Sequence, residues 1–179
     1  TQYMDYDLIE SFVEKDFANG YLIFAGYIAN ANHVYRSMLE RPFIHDIKVL
    51  IFNEDIDMEI RESLIFIYAM IYTHGKYLYD LGSCYECAAK LLENIYSPIF
   101  SSKCRLYTSY LLSISVNVME VEPDDLLKHD VLYHLHFLSR DCCPLTRAYA
   151  IYTIFSIMSH FSKPKLISLC LRNGLDGCP

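Results

Sequence analysis

The sequence predicts an all-α chain, a short α-solenoid of about four stacked helical repeats. Three observations predict it. Gly and Pro number only 6 each, so breakers are few and a many-turned β fold is disfavoured. Residues 144–160 (PLTRAYAIYTIFSIMSH) read as a helix start followed by an apolar helix, and they have relatives at 58–74, 101–118 and, in degraded form, 17–31. Arg147 has counterparts in Arg105, 42 residues earlier, and Arg61, a further 44 earlier; in the degraded unit Gly20, beside Asn19, lies 41 residues before Arg61. So regular a period in a helical chain is the signature of stacked repeats.

Taken in order, residues 7–16 place Leu8, Ile9, Phe12 and Val13 on one side at helical spacing, with acidic residues opposite. Asn19-Gly20 breaks that helix. Residues 21–31 are apolar nearly all round and form an inner helix, in which Gly26 allows close packing. A short helix at 34–39 ends at Arg41-Pro42. Residues 43–52 are amphipathic. Asp57 is the expected N-cap of an inner helix over 58–73, which His74-Gly75 ends. A short segment at 76–81 precedes an outer helix at 83–95, broken by Ser97-Pro98. Ser101 or Ser102 caps the next inner helix, which runs to Val118. An acidic linker at 120–125 contains Pro123. Asp124 or Asp125 caps the next segment, 126–139, which forms one or two helices. Pro144 restarts the chain at a helix N-terminus. Lys163-Pro164 is read as a turn, 165–171 as a short helix and Asn173-Gly174 as its stop. Each unit reads as an outer helix, a turn and an inner helix too apolar to sit on a surface.

Composition narrows the function. With 53% apolar and 21% charged residues, the chain is globular, and its 179 residues suffice for a single repeat domain over 1–179. A net charge of −7 argues against a nucleic-acid binder and favours basic protein partners. Seven cysteines scattered among apolar runs read as reduced, buried thiols of an intracellular protein, cytoplasmic or nuclear. No run of about 18 apolar residues is free of charge or strong polarity, so no membrane span is expected.

The inner helices resemble those of armadillo and HEAT repeats. Three residues after each arginine comes an inward position: Leu64, Thr108 and Ala150. Further inward positions follow at Ile67, Tyr68 and Ile71, at Leu111, Leu112 and Ser115, and at Thr153, Ile154 and Ile157. The resemblance implies a right-handed solenoid whose inner helices line a groove. In armadillo nuclear-import adaptors a Trp and an Asn one turn apart form a ladder that grips extended basic peptides. The Trp-equivalent positions here are Phe66, Tyr110 and Tyr152, aromatic at repeat spacing. The Asn-equivalent positions are Met70, Ile114 and Ser156, so the amide ladder is missing, which counts against import-signal binding. Tyr107 and Tyr149 sit three residues before Tyr110 and Tyr152, each pair on one helix face. The five aromatics Phe66, Tyr107, Tyr110, Tyr149 and Tyr152 are the candidate partner-binding groove; core filling is the alternative reading of the same row.

Other chemistry is weakly signalled. Cys84 and Cys87 are spaced C-x-x-C, but no second such pair completes a zinc set; Cys142-Cys143 are adjacent, and His134 and His136 fall on different sides of a helix. Metal, cofactor and catalytic residues are therefore not expected, and no phosphate loop or nucleophile elbow appears. The acidic stretches at 53–62 and 120–125 fall at turns and could form an acidic edge facing Lys or Arg.

The leading reading is a non-enzymatic scaffold or adaptor holding a protein or peptide partner. Thr1 and the Gly-Cys-Pro end suit a piece of a longer solenoid or a subunit of a larger complex. A transport adaptor and a chaperone exchange factor are variants of the same class. The alternative from another class is a compact helical bundle that takes an amphipathic helix in a hydrophobic groove.

Overall fold

A computed structural model describes residues 43–75, 81–98, 100–118 and 122–172. Among them all regular structure is helical: α1 (Phe43–Ile51), α2 (Met58–Gly75), α3 (Leu81–Leu92), α4 (Ser102–Val118), α5 (Pro123–Lys128), α6 (Val131–Leu138), α7 (Pro144–His160) and α8 (Lys163–Arg172). The all-α class is therefore observed. The helices expected at 7–16, 21–31 and 34–39, with the degraded repeat over 17–31, lie outside the described residues, as does nearly all of 76–81. The chain divides into two compact units, 1–79 and 80–179.

In the first unit α1 packs on α2. Ile47 and Ile51 of α1 are buried, as are Leu64, Ile65, Tyr68, Ala69 and Ile71 of α2. In the second unit α3 packs on α4 and α6 on α7, while α4 and α7 lie side by side and α3 also meets α6. Two helix pairs are thus stacked, with α5 on α6 and α8 on α5.

Helices α2, α4 and α7 begin alike. The N–H of the fourth helical residue, always an arginine, donates to the carbonyl of the residue before the helix: Arg61 to Asp57 at 3.0 Å, Arg105 to Ser101 at 3.0 Å and Arg147 to Cys143 at 3.1 Å. Ser101 acts as the expected cap, its hydroxyl accepting from the Cys104 N–H at 3.1 Å. A cation in the first turn faces the positive end of the helix dipole, so its place needs another reason. The reason is the preceding chain, whose carbonyls lack helical partners. Arg61 donates to the Ile51 and Asn53 carbonyls at 3.2 and 2.6 Å. Arg105 donates to the Phe100 carbonyl at 3.1 Å, and Arg147 to the Asp141 and Cys142 carbonyls at 2.8 and 3.0 Å.

Each arginine fixes the rotation of its helix, and the inward row follows. Leu64, Thr108 and Ala150 are all at 0% exposure. Ile67, Tyr68, Ile71, Leu111, Leu112, Ser115, Thr153 and Ile157 are buried too, and only Ile154 is half-buried.

Polar ties join the stacked pairs. Arg105 Nε meets Asp141 Oδ2 at 2.6 Å, linking α4 to the turn before α7. Ser156 of α7 donates to Asn117 Oδ1 of α4 at 3.0 Å. Between these ties α4 carries Ser109 and Ser113, and α7 carries Ala150 and Thr153, all buried. Their hydroxyls donate to carbonyls of their own helix: Ser109 to Arg105 at 2.8 Å, Ser113 to Tyr110 at 2.7 Å and Thr153 to Tyr149 at 2.8 Å. Satisfied in this way, small residues can be buried without an orphaned hydroxyl and let two helices approach closely.

The structure revises several boundaries. Pro123 and Pro164, read as linker and turn residues, stand at the first and second positions of α5 and α8, where a missing N–H costs nothing. The N-cap of α5 is Glu122, not Asp124 or Asp125, and its N–H donates to Asp125 Oδ2 at 3.2 Å. The second acidic stretch is thus spent partly on capping. Residues 126–139 split at Asp130, which adopts the left-handed conformation (φ 47°, ψ 36°) that Asp tolerates better than most residues. Helix α7 is not covered all round: Ile151, Tyr152, Phe155 and Met158 are exposed.

Burial would raise the Asp141 carboxyl, but the Cys143 N–H and the Arg105 guanidinium outweigh it and hold the carboxyl below the usual value. A depressed folded pKa adds stability that is complete above the unfolded value near about 4 and is lost as pH falls through the folded one. The Asp141→Asn variant should therefore be less stable than wild type at pH 7, with the gap closing only below about pH 4. Urea unfolding across pH 2–7 measures this, and a gap that stays constant to the acid end would contradict it.

Candidate functional site

The sequence-derived aromatics fall on the solvent side of their helices. Phe66, in the first unit, is half-buried. Tyr107 and Tyr110 of α4 and Tyr149 of α7 are half-buried, and Tyr152 of α7 is 54% exposed. The row therefore lies beside the buried positions of the same helices rather than among them.

Because α4 and α7 lie side by side, the tyrosines of the second unit form one surface. The Tyr110 and Tyr149 rings touch across the two helices, with centroids 5.0 Å apart and planes tilted by 52°. Along α4 the row continues through Ile114 to Asn117, and along α7 through Tyr152 to Ser156. Asn117 closes the far end: its Nδ2 donates to the Ser113 carbonyl at 2.6 Å while its Oδ1 accepts from Ser156. Tyr107 to Asn117 spans about 15 Å of helix, the length of four or five extended residues. Asn117 escaped the sequence reading because it sits three residues past the ladder position at Ile114. Its amide is engaged within the protein, so it does not replace the missing ladder.

A second aromatic group was not anticipated. Tyr96, from the turn after α3, meets Phe137 of α6 edge-on at 4.5 Å and His134 at 5.6 Å, and Tyr133 meets His134 at 5.7 Å. Tyr96, Tyr133 and Phe137 are each about half exposed, whereas His134 is buried. Burial lowers the His134 pKa against the pull of Asp130 and Glu93, so its ring stays neutral near pH 7. Burial, with the neighbouring Tyr133, pushes Tyr96 up to about 12. Tyr133, His134 and Phe137 share α6, but no spacing in sequence announces that Tyr96, from the turn after α3, joins them.

The remaining chemical candidates resolve simply. Cys84 and Cys87 are buried on α3, and among the described residues no cluster of His, Cys, Asp or Glu could hold a metal ion. His134 and His136 fall on opposite sides of α6, one buried and one exposed. Cys143 is the N-cap of α7. The Thr146 N–H, then its hydroxyl and the Leu145 N–H, favour the thiolate and lower the Cys143 pKa, against burial and the Asp141 charge. Among the described residues no helix is long and apolar enough to cross a membrane.

The acidic residues are unevenly placed. Residues 1–79 hold 12 acidic and 6 basic side chains, whereas 80–179 hold 10 and 9. The tyrosine row thus lies in the nearly neutral unit. Comparison with known proteins adds no assignment: no family model, no curated protein and no solved structure matches the chain.

The thiol environments predict a reactivity order. Alkylation at neutral pH, followed by mass spectrometry, should label Cys143 faster than its exposed neighbour Cys142, and leave Cys84, Cys87 and Cys104 unlabelled until urea is added. Labelling of Cys142 ahead of Cys143 would contradict the helix-terminal activation.

Proposed function

We propose that the chain is a non-enzymatic interaction module, a short α-solenoid of armadillo or HEAT type, that holds a protein or peptide partner along its inner helices. The observation that carries this reading is the tyrosine surface of α4 and α7: Tyr110 and Tyr149 in ring contact, with Tyr152 exposed beside them. Tyr offers a large rigid contact area and a hydroxyl at little entropic cost, which suits a recognition surface. The repeated arginine-led helix starts and the side-by-side inner helices support the solenoid geometry.

The partner is an extended segment gripped by aromatic stacking and hydroxyl hydrogen bonds. In the unit that carries Tyr110 and Tyr149 the charges nearly balance, so apolar and aromatic side chains set its preference there. A preference for Lys or Arg belongs to the acidic first unit, where Phe66 stands.

Selection from a random peptide library tests the proposal, with wild type and Tyr110→Ala/Tyr152→Ala compared after circular dichroism confirms that both are folded. Wild type should enrich a consensus containing aromatic or aliphatic residues, and the double variant should bind it at least about tenfold more weakly. Failure to enrich any consensus, or equal binding by the variant, would overturn the groove.

A further inference from the structure

The turn before α7 holds two adjacent cysteines whose sulfurs have different surroundings. The Cys142 thiol donates to Asp141 Oδ1 at 3.6 Å, and the same oxygen accepts from the Cys143 N–H at 2.8 Å. Cys143, half-buried at the N-cap of α7, has its sulfur beside the Thr146 N–H and hydroxyl and the Leu145 N–H. In the thiol form this sulfur accepts no capping hydrogen bond. Thr146 supplies an independent observation. It is at 0% exposure, and its hydroxyl is buried without a hydrogen-bond partner. Thr153 of the same helix satisfies its hydroxyl on the carbonyl four residues back. For Thr146 that carbonyl belongs to Cys142, ahead of the helix, where it already accepts from Arg147. A buried hydroxyl left in this way is rare and calls for an explanation. Neutral sulfur is a poor acceptor, whereas an anionic oxygen carried on it would receive the hydroxyl and both N–H groups.

We propose that Cys143 is a site of reversible oxidation by hydroperoxides, whose sulfenate oxygen is held at the first turn of α7 by the Thr146 hydroxyl. The Cys143 thiolate attacks the terminal oxygen of the hydroperoxide. An S–O bond forms as the O–O bond breaks, and sulfur gives up two electrons to the departing oxygen. That oxygen then takes the sulfenic proton, so thiolate and hydroperoxide become sulfenate and an alcohol, or water where the oxidant is hydrogen peroxide. A small thiol reverses the change: it condenses with the sulfenic acid to a mixed disulfide with loss of water, and a second thiol releases Cys143 and leaves as the small-molecule disulfide. The other cysteines lack this setting. Cys84, Cys87 and Cys104 are buried. Cys142 is exposed, but its sulfur lies against a carboxylate, which has no proton to offer an oxygen placed there. Nor are the two thiols set to pair. They face different groups, and adjacent Cα atoms, about 3.8 Å apart, are closer than a disulfide ordinarily spans. The site stands whether or not the tyrosine surface binds a peptide.

The test treats the full chain at neutral pH with a small excess of hydrogen peroxide, traps sulfenic acid with dimedone, and locates the adduct by peptide mass spectrometry. The adduct should form on Cys143 and be absent from Cys84, Cys87 and Cys104, and glutathione added before the trap should abolish it. Thr146→Val removes only a hydroxyl that makes no hydrogen bond, so its stability in urea should not fall below that of wild type. Its sulfenate, followed by delayed addition of the trap, should nevertheless be about tenfold shorter-lived, and Thr146→Ser should restore the lifetime. An adduct chiefly on Cys142, a disulfide joining Cys142 to Cys143 in place of the adduct, or a Thr146→Val sulfenate as long-lived as that of wild type would overturn the proposal.

Discussion

The structure depends on an arginine placed at the wrong electrostatic end of a helix. Arg61, Arg105 and Arg147 each stand fourth in their helices, and each turns its guanidinium back onto carbonyls of the chain just before. A helix start and the preceding turn are thereby locked into one rigid corner. The corner sets the rotation of the helix about its axis, and the rotation decides which residues are buried. That is why Leu64, Thr108 and Ala150, three residues on, share complete burial despite having little else in common. Charge-assisted bonds of this kind are stronger than neutral ones, and the planar guanidinium can serve two carbonyls at once.

In the second unit the corners are also connected. Asp141 lends its carbonyl to Arg147 and its carboxylate to Arg105, so one residue joins the start of α7 to the start of α4. Between these ties α4 buries Ser109 and Ser113 and α7 buries Ala150 and Thr153, with the hydroxyls satisfied inside their own helices. Close approach brings the Tyr110 and Tyr149 rings together, which turns tyrosines on separate helices into one surface. Elsewhere on α7 the large residues Ile151 and Phe155 face solvent.

Much of the fold was legible in sequence because its signals are local or periodic. The arginine spacing located all three inner helices in the described residues, and the inward row could be read three, six, seven and ten residues beyond each arginine. The features that could not be read depend on tertiary partners or on backbone choices with more than one reading. Pro123 and Pro164 can end one segment or begin the next, and only the helices they open reveal which. Asp130 divides α5 from α6 by a left-handed turn that Asp permits but does not announce. Asp141 and Arg105 are 36 residues apart, and no periodicity pairs them. An apolar pattern all round α7 predicts burial on every side, whereas Ile151, Phe155 and Met158 are exposed among the described residues. The tyrosines were legible as a row and not as a contact, because ring distance depends on how closely α4 and α7 approach.

The central claim is that the three arginines hold equivalent corners. The most direct test is the stability of Arg61→Met, Arg105→Met and Arg147→Met, which keep the apolar stem, beside the exposed control Arg140→Met. Urea unfolding should show each of the three losing about 1–3 kcal/mol, the cost of leaving carbonyls without a donor, with the control within about 0.5 kcal/mol of wild type. Three variants indistinguishable from the control would contradict the account.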